Sequence, residues 1–309
     1  MKRIKRIPYS LRWDWKWLAQ TNIPFFERAG FVLRKYRALL TGRRHIKYLG
    51  TDITYDNVNS PMTLESYPFE INLLHREIDL DRGCAVLDIG ANIGQFSITL
   101  GTLFPSCEMF AFEANPEIFH FLERNTASLP NVQIFNTAIG PQGKLPFYYV
   151  ADRSAAGSFL KQNIGAGARN DELHTLEIDV VELTPENCQS MNIPQEYDLI
   201  KIDVEGYEYE LLLALKGIRT RYLYIEFSNA RARECGYEMI DLFRRIEELF
   251  GRFSVVSCDR ISPELSMGNM LIKCVNSPVE KSEGSARQDA QEKIDRTGTF
   301  AQGLQLRGW

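Results

Sequence analysis

The run Val86-Leu87-Asp88-Ile89-Gly90-Ala91-Asn92-Ile93-Gly94-Gln95-Phe96 delivers an apolar strand into a glycine-bearing turn that opens a helix. In such an arrangement backbone N–H groups and the helix N-terminus face an anionic ligand group, so a nucleotide-like cofactor is the natural guest. The spacing is G-x-x-x-G, with Asn92 where the dinucleotide fingerprint has its middle glycine. Asp88, at the strand end, would repel a pyrophosphate and attract an ammonium group. S-adenosylmethionine has no phosphate and offers a carboxylate to the turn and an ammonium to an acid. Asp88, Gly90, Ala91, Asn92 and Gly94 are therefore assigned to its binding.

Outward from this turn, short apolar strands alternate with helical stretches. Strands are predicted over 84–89, 108–113, 132–136, 199–204 and 222–227, helices over 94–103, 116–127, 207–215 and 237–250, and two last strands near 253–258 and 270–274. The alternation predicts an α/β fold: a mostly parallel sheet with helices on both faces, spanning about 80–275. Glu113 ends the second strand 19 residues after Gly94, where an acid commonly grips ribose hydroxyls. Asn115 reads equally as a helix N-cap or a ribose or adenine contact. Thr137 and Ala138 end the third strand, on the side where adenine would lie. Between 141 and 194 the alternation breaks around a small-residue loop, Ser154-Ala155-Ala156-Gly157-Ser158, an insertion of the kind that shapes a substrate pocket or lid. Residues 276–309 carry five acids, five bases and four glycines without periodicity, and read as a disordered tail.

The second informative stretch is Asp198-Leu199-Ile200-Lys201-Ile202-Asp203-Val204-Glu205-Gly206. With a period of two, Lys201, Asp203 and Glu205 share one face of a strand whose other face is apolar. Charges inside a central parallel strand are expensive unless paired or lining a site. Glu226 closes Tyr224-Ile225-Glu226-Phe227 in the same manner. Asp88, Glu113, Asp203 and Glu226 thus terminate four strands that share an edge if parallel. The reaction expected there is in-line methyl transfer to an acceptor hydroxyl, with Asp203 positioning the acceptor or acting as base and Glu205 and Glu226 behind it. Lys201, Ser158 and His174 are assigned to the acceptor side, His174 also as a reserve general base. No metal is assigned; a divalent cation on Asp203 and Glu205 is the weaker alternative.

Three stretches, 86–94, Phe112-Glu113-Ala114-Asn115-Pro116, and 198–206 with Tyr207 and Glu208, resemble the FkbM-type methyltransferases, a branch of the class I S-adenosylmethionine-dependent fold. The resemblance covers about 80–230 well, the last two strands loosely, and neither end of the chain. It implies a Rossmann-like sheet of seven strands with the last antiparallel, and O-methylation of a hydroxyl on a sugar, glycan or secondary metabolite. An NAD-dependent sugar oxidoreductase or epimerase would use the same sheet, but Asp88 and Asn92 count against it. A non-catalytic cofactor-binding scaffold is the rival outside enzymes.

The chain has 309 residues, 44% hydrophobic and 25% charged, a globular composition with no apolar run long enough to cross a bilayer and no secretory leader pattern. Six cysteines lie far apart without metal-binding spacing, and read as reduced thiols of a cytoplasmic protein. Residues 1–48 carry 13 Lys or Arg against Asp14 and Glu27, a net +11, so the remainder carries −15. Within this Trp-rich extension (1–79), Phe26, Ala29, Leu33, Tyr36 and Leu40 mark one face of a basic amphipathic helix. That face is expected to dock on the main domain; peripheral contact with an anionic membrane is the alternative. The acidic body makes nucleic acid a poor partner.

Overall fold

The computed structural model describes residues 14–19, 23–55, 64, 66–150, 157–161, 173–258 and 267–275. Trp13, the loop residues 154–156 and the tail 276–309 lie outside the described residues.

Seven strands form the main sheet: β3 (Ala85–Ile89), β4 (Glu108–Phe112), β5 (Val132–Phe135), β9 (Glu196–Ile202), β10 (Arg219–Ser228), β11 (Phe253–Cys258) and β12 (Met267–Cys274). Their order is β11-β12-β10-β9-β3-β4-β5, with β12 antiparallel to both neighbours and the other pairings parallel. This is the mostly parallel sheet that the strand alternation predicts, with the seven strands and reversed last strand that the resemblance implies. Strand alternation divides the core between its two faces. Leu87, Ile200, Leu223 and Ile225 pack on one side with Leu211, Leu242 and Ile246. Val86, Leu199, Tyr222 and Tyr224 pack on the other with Ile71, Leu74, Phe96 and Leu100.

The helices start where local chemistry dictates. In α3 (Gln95–Leu103) the chain enters through Gly94 at φ 95°. Asn115 caps α4 (Pro116–Thr126), accepting the Glu117 N–H at 3.0 Å, with Pro116 at the first helical position. Thr184 caps α5 (Pro185–Met191) in the same way. The stretch 207–215, expected as one helix, is α6 (Glu208–Leu212) followed by a 3-10 turn. Ser228 caps α7 (Asn229–Glu234), and a capping box formed by Glu238 and Asp241 opens α8 (Met239–Phe250).

The insertion builds its own sheet: β6 (Ala138–Ile139), β8 (Leu173–Val181) and β7 (Gly143–Val150), in that order. Upstream lie α1 (Phe25–Thr41), the hairpin β1 (His45–Tyr48) and β2 (Thr51–Thr54), and α2 (Tyr67–His75). Trp17, Phe31, Ile46, Tyr48 and Ile53 pack with Ile93, Ile98 and Ile118 of the main domain. The Asn125 amide also accepts the Thr54 N–H and donates to the Thr54 carbonyl, at 2.7 and 2.9 Å.

Two expectations are corrected here. The helix α1 turns inward not Phe26, Leu33 and Leu40 but Phe31, Lys35 and Ala38. The inner face is fixed by long-range partners: Asp14 takes the Lys35 ammonium, and the Trp17 and Tyr48 rings close on Phe31. Nor are all six thiols reduced: Cys84 and Cys107 form a disulfide, while Cys188 and Cys274 are free. Each bonded cysteine immediately precedes one member of the Ala85–Glu108 pair, so parallel pairing of β3 and β4 brings two residues 23 apart in sequence side by side.

Candidate functional site

At the carboxyl ends of β3, β4, β5 and β9 lies a cleft, the place where ligands bind in open α/β sheets. One side carries Gly90, Asn92 and Glu113, the far end Thr137 and Ala138, and the near end Asp203 and Glu205. Phe147, Phe159 and Tyr207 form an aromatic wall, with Phe159 and Tyr207 ring centroids 5.1 Å apart. The wall comes from the insertion and from the start of α6, and sequence reasoning missed its members.

The turn is shaped by close approach of the backbone. A Cβ on Gly90 would sit 1.9 Å from the Asp203 carbonyl oxygen, and Gly90 has φ 80°, so only glycine lets β3 and β9 end side by side. The turn's donors are spent within the fold, however. The Gly90 and Ala91 N–H groups donate to the Phe112 carbonyl at 3.0 and 2.9 Å. Asn92 donates its N–H to Glu113 Oε2 at 2.9 Å, and its own side chain accepts the Ile93 N–H at 2.7 Å. The expected cradle of N–H groups for a ligand carboxylate is thus replaced by a rigid frame in which Gly90 and Asn92 line the cleft. Ala91 is buried and is not among the lining residues.

Asp88 does not reach the cleft. Its carboxylate is fully buried, accepting from Ser97 Oγ at 2.6 Å and from Lys201 Nζ at 3.1 Å. The ammonium it meets is therefore that of Lys201. Burial opposes the Lys201 charge, but Asp88 and Asp203 outweigh it and raise the pKa above the ordinary lysine value. Glu113 is the acid that edges the cleft. Burial pushes its pKa up to about 7, against the backbone N–H groups of Asn115 and Asn92 that favour the charged form. Asn115 serves as a cap, and its buried amide nitrogen has no partner among the described residues.

Asp203, Glu205 and Glu226 converge as expected, with one carboxylate oxygen of each within 4.8 Å of the others. Sequence reasoning missed Arg231, which donates to Glu205 Oε2 at 2.5 Å and to Glu226 Oε2 at 3.0 Å. The only local hint was a cap, since Ser228 accepts the Arg231 N–H and so fixes where the helix leaves β10. Burial raises the pKa of both glutamates, and their like-charged neighbours, Asp203 first, add to it. Glu205 itself sits at φ 54°, a left-handed conformation that turns the chain sharply after β9.

Two of the three acceptor-side expectations change. Ser158 is buried, donating to the Glu205 carbonyl at 3.1 Å, so it clamps the insertion to the β9 turn. His174 is exposed on β8, beside Tyr149, and lines neither cavity described here. Lys201 is held between Asp88 and Asp203, 3.6 Å from the latter. It nevertheless borders a second, polar cavity with Asp203, Ser66, Tyr67, Glu70 and Asn269. Asp203 is thus shared by the two cavities.

Residues 88–254 match the methyltransferase FkbM domain. Methyltransferase sdnD of Sordaria araneosa is 27% identical over 220 residues, covering 63% of this chain and 77% of that protein. The 2-O-methyltransferase NoeI of Sinorhizobium fredii is 24% identical over 184 residues, covering 56% and 73%. Among solved structures, magnesium protoporphyrin IX methyltransferase of Synechocystis, with bound S-adenosylmethionine, is similar at a TM-score of 0.42 and 12% identity over 81% of this chain and 94% of that one. The domain match takes in more than half of the 309 residues, and the chain belongs to the FkbM methyltransferase family.

Proposed function

We propose that the protein is an S-adenosylmethionine-dependent O-methyltransferase acting on a hydroxyl of a sugar, glycan or secondary metabolite. The observation that carries this reading is the position of Asp203 between two cavities, one with an aromatic wall and one polar. The first suits the cofactor: Glu113 on its edge would hold ribose hydroxyls, and adenine would lie against Thr137 and Ala138. When bound, S-adenosylmethionine supplies an electrophilic methyl group on a sulfonium.

The second cavity suits a hydroxylated acceptor. Tyr67, Glu70 and Asn269 offer donors and acceptors around it, and a polar lining of this kind discriminates by hydrogen bonding. Asp203 would accept the acceptor hydroxyl proton while the oxygen forms its bond to the methyl carbon and the carbon–sulfur bond breaks. Lys201 pairs with the Asp203 carboxylate, and Arg231 bridges Glu205 and Glu226 beside it. One relative, NoeI, is named a 2-O-methyltransferase, in keeping with methyl transfer to oxygen.

Calorimetric titration with S-adenosylhomocysteine, run beside NAD and repeated on Glu113→Ala, tests the cofactor. Binding of the homocysteine product that weakens at least about tenfold in the variant is expected. Binding of NAD instead would return the site to an oxidoreductase or epimerase. Product binding without turnover on any hydroxylated acceptor would favour a scaffold.

A further inference from the structure

The outward face of α1 is largely apolar, with Arg37 one turn after Leu33. Phe26, Leu33 and Leu40, spaced by seven, are 88%, 73% and 85% exposed, and Phe25 and Trp15 add two more exposed aromatic rings. The opposite face, which packs inward, contains Lys35, whose ammonium is buried against Asp14. A helix that buries Phe31 and Ala38 and still shows a phenylalanine and two leucines carries apolar residues on both faces, unlike an ordinary surface helix. Contiguous exposed apolar surface of this kind marks a docking site.

Charge identifies the occupant. Arg37 is exposed on the same helix, and Arg43, Arg44 and Lys47 are exposed just beyond it. They belong to a segment of net +11 on a chain whose remainder is −15. Two copies joined through this stripe would bring two such basic segments together, so self-association is disfavoured. Nucleic acid would use the bases but not leucine side chains. We infer that α1 lies flat on an anionic membrane surface, with Phe26, Leu33 and Leu40 in the acyl boundary and the arginines and Lys47 among the headgroups. The hairpin and the helical turn at 14–18, both packed on its inner face, hold it as a preformed platform rather than a segment that must fold on binding. The inference is independent of the acceptor reading.

The test is sedimentation of the full chain with vesicles of phosphatidylcholine alone or mixed with phosphatidylserine, beside the Phe26→Ser/Leu33→Ser/Leu40→Ser variant and an Arg37→Glu/Arg43→Glu variant. All five positions are exposed, and an unchanged melting temperature checks the fold. Wild-type protein should partition onto the phosphatidylserine vesicles, weaken with salt, and lose about tenfold or more in each variant. Failure of the wild-type chain to bind, or equal partitioning of the serine variant, overturns the inference. So does a dimer in sedimentation velocity that the serine variant abolishes, which would assign the stripe to a second copy.

Discussion

Lys201 Nζ lies 3.1 Å from Asp88 Oδ1, with both side chains withdrawn from solvent in the middle of the sheet. The pair joins β3 to β9 at matched positions, since Asp88 and Lys201 are register partners. A buried pair is weak support for stability in itself, but removing one member strands the other's charge. Lys201→Met is expected to lower stability by about 3–5 kcal/mol in urea unfolding, and Asp88→Asn/Lys201→Met to recover much of that. A single variant within about 1 kcal/mol of wild type would show that the pair is not held dry.

Arg231 bridges Glu205 and Glu226, and without it two carboxylates and Asp203 would crowd into one partly buried space. Arg231→Gln should cut methyl transfer by on the order of 100-fold while S-adenosylhomocysteine affinity stays within a few-fold. Unaltered turnover would remove Arg231 from the site's electrostatics.

The same arrangement bears on metal dependence. Arg231 already supplies the positive charge that a divalent ion would bring to Glu205 and Glu226. Treatment with a chelator should therefore leave turnover within about twofold. Activity lost to the chelator and restored by magnesium would instead assign Asp203, Glu205 and Glu226 as ligands.

The parts legible in the sequence were those set by local periodicity and turn chemistry. Leu199 and Ile200 alternate between the two cores because strand residues must, and Pro116 after Asn115 announces a helix start. What stayed hidden depends on partners distant in the chain. Asp88 is neutralised by Lys201, 113 residues away, so a carboxylate that reads as a ligand becomes a structural ion. The inner face of α1 is chosen by Asp14, Trp17 and Tyr48 rather than by its own periodicity. Ser158 and Arg231 both meet Glu205 only once the chain turns after β9.

Asp203→Asn separates binding from chemistry. Asp203 borders both cavities, and the amide keeps shape but cannot take a proton. Turnover should fall by about 100-fold or more with the homocysteine product still bound within a few-fold. Turnover close to wild type would transfer the base role to another group.

Gly90→Ala tests the contact that sets the cleft floor. The added Cβ would lie 1.9 Å from the Asp203 carbonyl oxygen, and backbone, not a flexible side chain, would have to move. Overpacking of this severity, together with φ 80°, should destabilise the fold by about 3 kcal/mol or more and abolish product binding. A stable variant that binds normally would mean that β3 and β9 can part without affecting the cleft.

Burial of carboxyl groups gives stability an unusual pH slope. Glu208 is buried, accepts the Gly206 N–H at 3.0 Å, and is pushed from its ordinary 4.5 up to about 7, mainly by desolvation. Between these values the folded chain retains a proton that the unfolded chain has released. By linkage, stability then falls as pH rises through 4.5 to 7 and is flat beyond. The full shift corresponds to at most roughly 3 kcal/mol. Glu208→Gln removes the titration, so its melting temperature should gain on wild type as pH is raised from about 5 to 7. A constant difference across that window would mean that Glu208 stays charged throughout, held by Arg231 and the Gly206 N–H despite its burial.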